Sequence, residues 1–71
     1  ANGMQTSITT QELLKLINVA EAAYAEKRGA GLAQRMRISA MKRFVTDCRK
    51  RSPNQKITIS LEDHLVLTDL P

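Results

Sequence analysis

From Gly31 to Arg51 the sequence is apolar around more of a helix than one neighbouring element can cover. At roughly 100° per residue, Leu32, Ala33, Met36, Ile38, Ala40, Met41, Phe44, Val45 and Cys48 occupy most of the circumference. Such a stretch needs contacts on two sides. One side is expected to meet a preceding helix, and the other a hairpin or a second subunit. The surplus side, chiefly Ile38, Met41 and Val45, is assigned to a dimer interface. Chain length favours that choice. Seventy-one residues bury only about 60% of the surface they expose when unfolded, so a lone core is marginal. The single cysteine, Cys48, makes no internal disulfide, and the single histidine, His64, cannot complete a zinc site with it. A homodimer is the remaining remedy.

The other elements follow from capping and periodicity. Thr9 stands three residues before Glu12, the spacing of a capping box, and Ile8 with Leu13 suits a hydrophobic staple. Leu13, Leu16, Ile17, Ala20 and Tyr24 then recur at helical spacing, predicting a helix over about residues 10–28. Gly29 or Gly31 is expected to supply its left-handed stop. The second helix is expected over 31–51, closed by Ser52-Pro53-Asn54. In the tail, Ile57, Ile59 and Leu61 alternate with Thr58 and Ser60, which is strand spacing. Glu62-Asp63-His64 reads as a turn and residues 65–68 as a return strand, with an extended arm pairing in a dimer as the alternative. The expected fold is mainly α (α+β): an antiparallel two-helix hairpin followed by a short C-terminal β-hairpin or arm. Ala1-Asn2-Gly3 ahead of Met4 reads as the remnant of a cleaved tag. Residues 1–8 are therefore taken as a flexible lead-in and 9–71 as one small domain.

Charge is segregated along the chain. Lys27 to Lys56 contains ten basic residues and one acid, Asp47, giving +9. Residues 1–26 carry −2 and residues 57–71 carry −3, which together recover the net +4. Within the second helix, Arg35, Ser39, Lys42, Arg43, Thr46, Arg49 and Lys50 share an arc of about 120°. Ordinary solvated helix faces mix signs to form i,i+4 pairs, and here only Asp47 is placed to pair, with Arg43 or Arg51. Cations left unanswered repel one another, so an anionic partner is expected. Lysine and arginine interleaved with short hydroxyls suit phosphates: charge attracts, and hydroxyls fix register.

Chemistry is thinly represented. Ser60, Asp63 and His64 are the residue types of a hydrolytic triad, but neighbours on a strand point to opposite faces. There is no glycine-rich phosphate loop. His64 reads as a solvated turn residue and Cys48 as a small buried hydrophobe beside Phe44. No enzyme activity, cofactor or metal is expected. A membrane surface is disfavoured because Phe44 alone would serve as an aromatic anchor. No apolar run reaches the roughly 18 residues of a span, and no signal-peptide core is evident, so a cytoplasmic protein is expected. Single-strand readers stack bases on aromatics, and the chain holds only Tyr24 and Phe44, both expected in the core.

The run Leu32-Ala33-Gln34-Arg35-Met36-Arg37-Ile38-Ser39 resembles the first helix and turn of a helix-turn-helix unit, with Ser39 as N-cap of a recognition helix. The pattern departs from that motif where Arg37 stands at the usual glycine, and where Arg43 and Thr46 occupy usual packing positions. Eight residues do not identify a family. They leave open a break near residues 37–39, with a continuous helix as the favoured alternative. The leading functional expectation is a small dimeric DNA-binding regulator. Arg35, Lys42, Arg43, Arg49 and Lys50 would contact phosphates, assisted by Ser39 and Thr46, and Arg43 or Lys42 would reach a base edge. The alternative is an adaptor or inhibitor docking an acidic protein, and an RNA- or ribosome-associated role stands third.

Overall fold

The computed structural model describes residues 5–25 and 31–70. The order is β1 (Gln5–Thr9), α1 (Thr10–Ala25), α2 (Leu32–Arg51), β2 (Lys56–Ser60) and α3 (Leu61–Thr68). The protein is mainly helical, with one two-stranded antiparallel sheet. The first helix begins where the Thr9/Glu12 spacing places it: Thr9 Oγ1 accepts the Glu12 N–H at 3.2 Å. Leu13, Leu14, Ile17 and Ala20 are its buried stripe, with Tyr24 packed at the edge. Residues 26–28 and Gly29, expected to end this helix, lie outside the described residues. Gly31 has φ −89° and is the N-cap of α2, so it is not the left-handed stop it was expected to be.

The second helix runs unbroken through residues 37–39. A helix-turn-helix-like break there is therefore ruled out. Ile38 is held in the shared core with α1, and Ser39 has no acidic residue three positions on to complete a new cap. The face of α2 that meets α1 is Ile38 (1% exposed) and Val45 (2%), with Met41 half-buried between them. These three residues were expected at a dimer interface. They instead join Leu13, Leu14, Ile17 and Ala20 in the core of a single chain. Leu32, Met36 and Phe44 are the large residues of the arc left exposed, with Ala33 and Ala40, so Phe44 is not in the core where it was expected.

The tail departs furthest from expectation. The strand at 56–60 is present, but its partner is β1, not residues 65–68. The register pairs Ile8 with Ile57 and Thr6 with Ile59, which puts the isoleucines on the core side. Residues 5–8, set aside as a lead-in, are thus part of the sheet. The segment expected to turn at Glu62-Asp63-His64 and return as a strand is α3. Ser60 Oγ accepts the Asp63 N–H at 3.1 Å, an N-cap that diverts the chain from strand into helix. Leu67 then docks the helix, at 1% exposure, into the same core. His64 is helical and partly buried, and its carbonyl accepts the Thr68 hydroxyl at 2.9 Å.

Thr10 joins the sheet end to the α2 exit. Its N–H donates to Gln55 O at 3.1 Å and its Oγ1 donates to Pro53 O at 2.7 Å. It is the one buried polar side chain of the described core. Among the described residues no helix is long and apolar enough to cross a membrane.

Candidate anion-binding face

Antiparallel packing of α1 and α2 sets which cations of α2 remain available. Lys42 lies on the flank beside α1, where its Nζ meets Glu21 Oε1 at 2.8 Å. Arg37 points the other way, to α3, with Nη2 2.6 Å from Asp63 Oδ1 and Nη1 3.4 Å from Glu62 Oε1. The hydrogen bond that Arg37 donates to the Asp63 carboxylate, followed by that carboxylate's charge, raises the pKa of the guanidinium above its ordinary value. Arg51 pairs with Asp47 one turn earlier at 3.2 Å. The expectation that Asp47 alone could answer the basic stretch is therefore corrected: acids from α1 and α3 do so as well. All of these pairs are partly solvated, so each adds little to stability.

What remains is narrower than the arc read from the sequence, and better placed. Arg43 and Lys50 line an open groove of about 440 Å³ together with Ser39, Thr46, Lys42, Glu21 and Asp47. A neighbouring groove of about 290 Å³ is lined by Leu32, Arg35, Met36, Ser39 and Arg43. Arg35 also borders a smaller cleft of about 140 Å³ against Tyr24 and Ile38. Ser39, Arg43 and Lys50 are exposed, and Thr46 and Lys42 half-buried. Arg49 is exposed but does not line the main groove. Six of the seven residues expected to bind an anion therefore lie along these connected grooves, and Arg49 stands apart. Arg43, Arg49 and Lys50 form no ion pair among the described residues.

Glu21 is the groove residue that sequence reasoning missed. No local spacing relates it to Lys42, because the two meet only through helix packing. Cys48 is buried, as expected of a small hydrophobe, with Arg51 Nη2 3.7 Å from its sulfur. Ser60 Oγ is committed to capping α3. Among the described residues no three His, Cys, Asp or Glu side chains gather as a metal site. Comparison with protein-family models, with curated proteins and with solved structures finds no match.

Proposed function

We propose that this protein is a small DNA-binding regulator that lays the basic flank of α2 along duplex phosphates. The observation that carries this reading is the arrangement of charge in the main groove. Both acids that line it are already held, Glu21 by Lys42 and Asp47 by Arg51. Arg43 and Lys50 are left facing solvent beside the hydroxyls of Ser39 and Thr46. Cations with short donors at two-turn intervals suit a row of phosphates, and a duplex asks for no aromatic platform. With Lys42 tied to α1, Arg43 is the residue left to reach a base edge.

Binding of a mixed-sequence duplex, followed by anisotropy from about 50 to 200 mM salt, tests the proposal. Affinity should fall steeply, and Arg43→Ala and Lys50→Ala should each flatten the log–log salt slope by about 1. Affinity that ignores salt, or absence of binding, rejects the reading. Recovery of an acidic protein in a pull-down that survives nuclease treatment would replace DNA with a protein partner. Preferential competition by structured RNA would move the assignment to RNA.

A further inference from the structure

Leu32, Met36, Ser39, Arg43 and Lys50 stand within about 60° of one another around α2, at roughly 100° per residue. This crest lies opposite Ile38, Met41, Val45 and Cys48, the side that packs inward, so it is the outermost line of the helix. Leu32 is 54% and Met36 65% exposed, and Ser39, Arg43 and Lys50 are exposed with them. Phe44 stands about 110° from the middle of the crest and belongs to another side. The groove of about 290 Å³ is walled by Leu32, Arg35, Met36, Ser39 and Arg43, all from α2. It is the relief between side chains of one helix, not a trough between two elements. A surface of that shape enters a partner's groove.

We infer that this crest enters the major groove of duplex DNA, where Leu32 and Met36 contact thymine methyl groups and Arg43 a guanine edge. The inference rests on the phosphate-binding reading above and adds which groove is entered and what Leu32 and Met36 meet there. Phosphates ask only for charge and short donors, which leaves two large exposed apolar side chains beside Arg43 without a role. The major groove matches both kinds of side chain. It presents guanine O6 and N7 as acceptors for a guanidinium and the thymine C5 methyl for an apolar contact, and the minor groove presents no methyl. Met36 and Arg43 are seven residues apart, about 10.5 Å of helix, or about three base-pair steps. The major groove is about 12 Å wide and admits one α-helix. An acidic protein helix would answer the same cations. It docks, however, by sinking apolar residues at every third or fourth position into an apolar groove, whereas the crest interleaves Leu32 and Met36 with Ser39 and Arg43.

The test uses the full chain and the tightest duplex recovered from a random pool. That duplex is made once with thymine and once with uracil in its place, which removes only the C5 methyl groups. Anisotropy at a fixed salt concentration should show the thymine duplex bound about fourfold tighter or more, the worth of one buried methyl. Leu32→Ser combined with Met36→Ser, both at exposed positions, should bring the two affinities together. The salt slope should stay as it is, because no charge is removed. Phe44→Ser, off the crest, should keep the difference between the duplexes. Unchanged circular dichroism in these variants would show that the fold is intact. Salt-dependent binding with equal affinity for the two duplexes overturns this inference and leaves phosphate contact standing. Binding to neither duplex rejects both readings. A thymine preference that survives the double change takes the methyl contact away from this crest. Displacement of the duplex by an amphipathic glutamate–leucine peptide, abolished by the double change, would give the crest to an acidic protein. A concentration-dependent mass abolished by it would give the crest to a second copy, and either result also overturns the inference.

Discussion

Thr10 is the residue on which the most of this fold turns. It opens α1, lies fully buried, and ties the helix start to the loop that leaves α2. A buried hydroxyl is stabilising only while its acceptor is present, and the acceptor likewise depends on it. Thr10→Val keeps the shape but leaves the Pro53 carbonyl without its donor. We expect a loss of about 1–3 kcal/mol in urea unfolding, and a loss below about 0.5 kcal/mol would contradict the role given to this bond. Lys42 and Glu21 offer a functional counterpart. Their pair is about 40% exposed on each side, so it contributes little to stability. Glu21→Gln should therefore leave melting nearly unchanged. It should also free Lys42 and tighten duplex binding at low salt, steepening the salt slope by about 1. Weaker binding in this variant would mean that Glu21 positions the groove rather than masking it.

At the scale of elements, the small sheet is where removal of a few residues has the largest expected effect. Strand β2 has β1 as its partner, and an unpaired strand cannot keep Ile57 and Ile59 against the core. Deleting residues 1–8 should lower the melting temperature by several degrees or more, because Ile8 and most of the ladder go with it. Melting that matches the full chain would show that β1 is dispensable. Helix α3 depends on its first hydrogen bond and on Leu67. Ser60→Ala should cost about 1 kcal/mol. Leu67→Ala should cost about 2–5 kcal/mol, the difference between losing a cap and opening a cavity. Equal losses in the two variants would contradict that division of roles. The Thr9/Glu12 pattern and its helix were legible because a cap is local. Ser60-Leu61-Glu62-Asp63 carried the same kind of signal. It was overridden by the alternation of residues 57–61, which runs into it without a break.

For the whole molecule, the cations grouped on α2 both attract phosphate and repel one another, and salt weakens both effects. Several features were fixed by sequence alone. These are the two long helices, the strand at 56–60, the concentration of positive charge in the middle of the chain, and an α2 apolar on two sides. Each depends on residues a few positions apart, where helical or strand geometry makes spacing equivalent to direction. The tertiary structure decided which of the two apolar sides meets α1. On a helix apolar over most of the circumference outside its basic arc, periodicity ranks neither apolar side above the other, and the choice of Ile38, Met41 and Val45 came from fit to Leu13, Ile17 and Ala20. It also decided the strand partner, because β1 and β2 lie at opposite ends of the two helices and only their antiparallel packing brings residues 5–9 beside 56–60. And it decided how many cations stay available, because Glu21, Glu62 and Asp63 reach α2 across elements, at separations that no pattern along the chain encodes.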